Sequence, residues 1–404
     1  MSENILQKTW VEIDCDVLRN NLRLLHQAIG TQRAIVLVVK SDAYGHGACT
    51  VANIAAAEGV RHFAVAAVEE GAALRRADIN DEIILLHPPL DFEIGPALEA
   101  RLSPTISDLQ TAVRISEKAA KQSVGVHVEI NTGVNRLGFD WQTAPDTIAQ
   151  IAALPKLHIN GVYTHFRSSD GSDGASIKDQ LARFQQVLAA VERKGIPVGL
   201  RHAAASLVAA RFPDCHLDGV RPGLIVYTGA KSTYEEPGGG HDESATRLLT
   251  PLEQSGSVMS VRTRVLHVRT VEAGEWIHYG EGYRAPRRMT IAVLPIGYGM
   301  GYSRLLTNNA DVLLRGRRVP VVGTVGMDMT IVAVDDTGPV AIGDVATVIG
   351  RDGQEEITAA ELAARAGTIP YEILCSLGNS LPRCVINERE SQTQSAKVAR
   401  SVAG

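Results

Sequence analysis

Across the first 230 or so residues, short apolar, strand-like runs recur about eight times, with helix-patterned stretches between them. The runs are Ala34–Val39, His62–Ala67, Glu82–Leu86, Leu102–Thr105, Gly125–Ile130, His158–Thr164, Val198–Arg201 and Gly223–Val226. Some, such as Ala34–Val39 and Glu82–Leu86, are continuous in Val, Ile and Leu, which predicts strands buried on both faces and therefore a parallel sheet. Helices are expected over Asp16–Ile29, Asp108–Lys121, Pro145–Ala153 and Ile177–Lys194. The last carries Leu181, Phe184, Val187, Leu188 and Val191 on one face. Repeated strand–helix units in this number predict a (β/α)8 TIM-like barrel, with an open doubly wound sheet as the competing topology.

The pattern changes near Pro237-Gly-Gly-Gly240. Beyond it, β-branched runs at Ser257–Val271, Met289–Pro295, Asp311–Leu314, Val319–Val322, Thr330–Val334 and Val345–Ile349 are separated by turn signals such as Arg315-Gly316 and Asp352-Gly353. The expected organisation is a barrel over residues 1–245, a mainly antiparallel β domain over 246–387 and a polar, flexible tail over 388–404.

Several function classes are disfavoured. The net charge is −5 and no Lys/Arg run marks a nucleic-acid footprint. No stretch of about 18 apolar residues suggests a membrane span, and the first ten residues lack a secretory apolar core. The five cysteines form no CxxC pair and are odd in number, so neither a metal site nor a disulfide framework is expected. A cytoplasmic location follows as an expectation.

Chemistry concentrates where the run Ala34–Val39 ends in Lys40, followed by Ser41-Asp42-Ala43-Tyr44-Gly45-His46-Gly47. Active sites of barrels lie at the C-terminal ends of the strands. An amine held there, away from water, loses its ammonium preference and can form a Schiff base. A lysine ending a strand is equally compatible with an ordinary surface position, so the strand pattern alone leaves both readings open.

The whole string resembles the pyridoxal-phosphate attachment site of the alanine racemase family. Further resemblances follow in order: Thr132-Gly133-Val134-Asn135-Arg136-Leu137-Gly138, Tyr163-Thr164-His165-Phe166, Val220-Arg221-Pro222-Gly223-Leu224, Tyr279-Gly280, Leu294 to Tyr298, Gly326-Met327-Asp328 and Ile369-Pro370-Tyr371. The resemblance implies a barrel that carries pyridoxal 5'-phosphate on Lys40, followed by a C-terminal β domain. It implies interconversion of L- and D-alanine by two bases, Lys40 on one face of the substrate and Tyr279 on the other. Tyr279 would come from the partner subunit of a homodimer and would be tuned through Arg221 and His165. Arg221 would face the cofactor's ring nitrogen. Tyr44, Ser206, Gly223, Leu224 and Tyr371 would hold its phosphate, and Arg136, Met327 and Tyr298 would line the substrate pocket. No metal is implied.

The chain departs from the family at some positions. Glu129 replaces a lysine that many relatives carbamylate, and is expected to pair directly with Arg136. Asn131, Ala205, Gly326 and Gly299-Met300 also differ from the usual residues. These departures keep a broader-specificity or serine racemase in view. A decarboxylase of the same fold lacks a matching segment around Cys375 and Cys384. A single-barrel pyridoxal-phosphate carrier would lack the β domain, and a Schiff-base aldolase would lack the phosphate-side tyrosines.

Overall fold

The computed structural model describes residues 6–119, 123–168, 173–230, 250–280 and 282–388. Within it, eight parallel strands close on themselves: Ala34–Val38, His62–Val65, Glu82–Leu85, Ser103–Ile106, Val124–Asn131, Leu157–Thr164, Leu200–Ala205 and Gly219–Arg221. Closure is made by Gly219 and Val220 pairing with Ala34 and Ile35. Halfway round, Thr105 and Ile106 pair with His127 and Val128. An open doubly wound sheet has two free edges, so these pairings exclude it. Helices follow the strands and are started locally. Asp14 Oδ1 accepts the N–H groups of Asp16 and Val17 at 3.0 and 3.1 Å to begin helix Cys15–Ile29. Asp173 caps Gly174–Arg193 through Ser176 N at 2.9 Å.

Two expectations need correction. The last barrel strand is Gly219–Arg221, and the apolar run placed at Gly223–Val226 is instead the short helix Leu224–Thr228. Pro222 has no N–H to continue a ladder, and a fully buried apolar run fits a buried helix as well as a strand. The penultimate strand is likewise displaced along the chain, to Leu200–Ala205.

The C-terminal part holds a seven-stranded sheet and a three-stranded one, both antiparallel-rich. The early strand Thr9–Asp14 belongs to the larger sheet rather than to the barrel. It pairs antiparallel with Met259–Arg264 and parallel with Arg383–Ile386. Its neighbour helix Cys15–Ile29 ties the two parts together, because Asn21 Nδ2 donates to Val226 O and Gly256 O at 2.9 and 2.7 Å. The predicted tail lies almost wholly outside the described residues. No helix among the described residues is long and apolar enough to cross a membrane.

Candidate active site

Lys40 follows strand Ala34–Val38 at the C-terminal mouth of the barrel and opens a tight turn of unusual hand. Ser41, Asp42, Ala43 and Tyr44 all have φ near the left-handed region, at 52, 53, 53 and 53°. For residues with a Cβ this costs roughly 1–2 kcal/mol each, so the turn must be held from outside. Glu70 Oε1 accepts Ser41 N at 2.6 Å, and Asp42 Oδ1 accepts Ala48 N at 2.7 Å while its other oxygen pairs with Arg383. Behind the turn runs the C-terminal helix Pro370–Ser380, so close that a Cβ on Gly45 would lie 2.7 Å from Leu374 O and 2.8 Å from Gly378 Cα. Burial, reinforced by the positive charge of Arg136, lowers the pKa of Lys40. The amine is thereby shifted toward its neutral, nucleophilic form.

The turn directs Tyr44 inward. Its ring is edge-on to Tyr227 and to Tyr371, with centroids 5.4 and 5.3 Å away. Tyr227 is anchored by donating to Val38 O at 2.8 Å. Burial pushes the Tyr44 phenol up, so it stays a proton donor. A Cβ on Gly223 would come within 2.7 Å of Tyr44 Oη, and Gly223 N donates to Ser206 Oγ at 3.0 Å. Hydroxyls and bare backbone thus converge at the start of helix Leu224–Thr228, a donor set matched to the acceptor oxygens of a phosphate.

Arg221 is buried at the end of its strand. Its Nη2 donates to Thr164 O and Ala203 O at 2.8 and 3.0 Å and lies 3.3 Å from His165 Nδ1. Its Nη1 donates to His202 Nδ1 at 2.9 Å. The guanidinium also stacks on the Tyr163 ring at 4.9 Å. Burial, joined by the charges of Arg221, Arg136 and Lys40, pushes His165 down to about 3, so its ring is neutral. Since its Nδ1 accepts from Arg221, its proton sits on Nε2.

A family model described as "Alanine racemase, N-terminal domain" matches residues 13–231, and one described as "Alanine racemase, C-terminal domain" matches 258–385. An alanine racemase of Carboxydothermus hydrogenoformans is 36% identical over 383 residues, covering 94% of this chain and 100% of the relative. The crystal structure of alanine racemase from Bacillus anthracis with bound L-Ala-P superposes with a TM-score of 0.84 at 30% identity, covering 95% of this chain and 96% of that one. That of the Bartonella henselae enzyme with covalently bound pyridoxal phosphate superposes at 0.80 and 28% identity, covering 94% and 100%. The chain belongs to the alanine racemase family.

Within one chain of the racemase, the residues expected to act together fall into two groups. Lys40, Tyr44, His165, Ser206, Arg221, Gly223, Leu224 and Tyr371 gather around the barrel mouth. Tyr279, Tyr298 and Met327 form a separate rim on the C-terminal part. Gly299 N donates to Met327 O at 2.8 Å, and Thr324 Oγ1 to Tyr279 O at 3.1 Å. Tyr279 is 73% exposed and makes no hydrogen bond or ring contact with Lys40, His165 or Arg221. Arg136 sits exposed on the loop after strand Val124–Asn131.

The expected pairing of Glu129 with Arg136 is not found: no ion pair joins them among the described residues. Glu129 Oε2 accepts from Tyr163 Oη at 3.3 Å instead. A glutamate is much shorter than a carbamylated lysine, so its carboxylate stays inside the barrel. Burial pushes it up, opposed by the nearby charges of Arg221 and Arg136. Sequence reasoning also missed Glu70, His202 and His127, whose Nδ1 lies 3.2 Å from His202 Nε2. A histidine followed by three alanines, as at His202 in strand Leu200–Ala205, was the available signal of a buried polar group.

Proposed function

We propose that the racemase binds pyridoxal 5'-phosphate through Lys40 and uses Lys40 and Tyr279 as its two bases, with Tyr279 supplied by the partner subunit of a homodimer. The observation that carries this reading is the half-buried Lys40 with its lowered pKa, on the same turn whose Tyr44 faces Gly223, which in turn donates to Ser206. When bound, the cofactor supplies an electron sink for the carbon that bears the substrate's amino group. Tyr44, Ser206, Tyr371 and the backbone at Gly223 and Leu224 would hold its phosphate. Arg221 offers only N–H donors, so a ring nitrogen placed against it remains an unprotonated acceptor. That limits the sink and favours return of the proton over loss of the amino group. Neutral His165 carries its proton on Nε2, where it would hydrogen-bond a phenolic oxygen and favour phenolate. Racemisation needs a proton removed from one face and delivered to the other, and the exposed rim of Tyr279, Tyr298 and Met327 supports its insertion into a second chain's barrel mouth. Alanine is the substrate assigned, with Arg136, Met327 and Tyr298 bounding its pocket.

The test pairs optical rotation of L-alanine, L-serine and L-lysine with subunit mixing. Lys40→Ala and Tyr279→Phe are each expected to be inactive. Co-refolded at random they should recover about one quarter of wild-type activity, because half the dimers then hold one site with both bases. Recovery of nothing overturns the shared site, and turnover of serine but not alanine overturns the substrate.

A further inference from the structure

The interior of the barrel is polar along one line from its base to its mouth. Near the base, strand Glu82–Leu85 begins with Glu82, whose side chain is only 16% exposed. Its carboxylate takes four donors. Oε1 accepts from Asn160 Nδ2 at 2.7 Å, Ser103 Oγ at 2.8 Å and His127 Nε2 at 3.3 Å, and Oε2 accepts from His62 Nδ1 at 2.9 Å. His127 Nδ1 lies 3.2 Å from His202 Nε2, and His202 Nδ1 lies 2.9 Å from Arg221 Nη1. His127 and His202 are wholly buried.

The two ends of this chain fix its direction. A guanidinium can only donate and a carboxylate can only accept. His202 must therefore accept at Nδ1 and carry its proton on Nε2, and His127 must do the same. Every hydrogen bond then points from Arg221 toward Glu82. Four donors hold Glu82 ionised against the opposing effect of burial. Each end selects the tautomer of the ring beside it: Arg221 makes His202 accept at Nδ1, and Glu82 makes His127 carry its proton on Nε2, which leaves His127 Nδ1 free to accept from His202. The second selection is made at Glu82, on the other side of the barrel from Arg221.

We propose that Glu82 is a positioning residue for Arg221, acting across His127 and His202 to hold the relay in the one direction that gives the guanidinium an acceptor. With His127 reversed, its Nδ1–H would face the Nε2–H of His202, so His202 must either turn a proton toward Arg221 or move away, and in both cases the guanidinium loses its acceptor. The consequence at the reaction centre rests on the racemase reading given above, whereas the tautomers belong to the barrel itself. A space-filling role predicts the opposite response, since replacing a buried polar group by an apolar one of similar volume is often neutral or stabilising.

Nitrogen-15 spectra of histidine-labelled protein, with and without cofactor, read the proton positions directly. His127 and His202 are expected to show Nε2–H in the wild type. Glu82→Gln should keep that pattern, because the amide oxygen still accepts from His127 and its NH2 can face His62. Glu82→Leu should move the His127 proton to Nδ1, shift the His202 resonances and lower kcat on the order of 10-fold or more with a smaller change in KM. Should Glu82→Leu not fold, His127→Phe cuts the relay in the middle, leaves His202 Nε2–H without its acceptor, and is expected to shift the His202 resonances and lower kcat in the same way. Nδ1–H at His202 in the wild type overturns the proposal, as does an unchanged His202 in the Leu or Phe variant. Failure to racemise alanine would leave these spectra untouched and would count only against the functional reading.

Discussion

Gly223→Ala adds a single methyl group at the point where backbone, Ser206 and Tyr44 meet. The new Cβ would lie 2.7 Å from Tyr44 Oη, 3.0 Å from Cε2 and 3.1 Å from Cζ, against roughly 3.5–4.0 Å for comfortable contact. Tyr44 cannot slide aside freely, because Tyr227 and Tyr371 stand edge-on on its flanks. Over-packing of this kind costs about 1–3 kcal/mol of stability. If the displaced hydroxyl also loses one charge-assisted hydrogen bond to the phosphate, about 1.5–3 kcal/mol of binding goes with it. The dissociation constant for pyridoxal phosphate should then rise about 10- to 150-fold. Titration of apoprotein in a Lys40→Ala background, followed by fluorescence quenching, isolates this term from the covalent link. Tyr44→Phe is the comparison, since it removes the hydroxyl without crowding; it should weaken binding while leaving the apoprotein's unfolding midpoint nearly unchanged. Wild-type affinity and an unshifted midpoint in Gly223→Ala would refute the reasoning that these groups form one cradle.

Three further perturbations have defined outcomes. Gly45→Ala combines a φ of 81° with a Cβ 2.7 Å from Leu374 O, and should destabilise by about 2–4 kcal/mol in urea unfolding. Burial pushes His46 down to about 4 from the usual 6.5. Between those values only the unfolded chain takes up the proton, so the stability His46 contributes is full above pH 6.5 and lost as pH falls toward 4, about 3 kcal/mol in all. Urea unfolding across that window checks it, and His46→Gln should flatten the slope. At the third position, a Cβ on Gly326 would lie 2.9 Å from His278 Cε1. Gly326→Cys should therefore impair activity, and His278→Ala should relieve it, with a coupling of about 1 kcal/mol in a double-mutant cycle.

Much of the architecture is legible because burial leaves a periodic trace. Continuous apolar runs such as Ala34–Val39 announced a parallel barrel, and the change to β-branched alternations announced the second part. Lys40 was legible from its place at the end of a strand together with the turn that follows it. The helix Leu224–Thr228 was misread as a strand because its residues are buried on all sides, which erases the period that separates the two. The strand Thr9–Asp14 gave no hint that its partners lie some 250 and 370 residues further on.

The chain's own order determines which residues stand at strand ends, and hence that an amine, an imidazole and a guanidinium share one mouth. Tertiary structure alone decides which of their polar atoms meet. Glu129 answers Tyr163 rather than Arg136, and Glu82 reaches Arg221 only through two rings carried on other strands. Side-chain length, register and closure fix those meetings, and each is a relation between segments far apart in sequence. Local pattern records how deeply a residue is buried; it holds no record of what it faces once there.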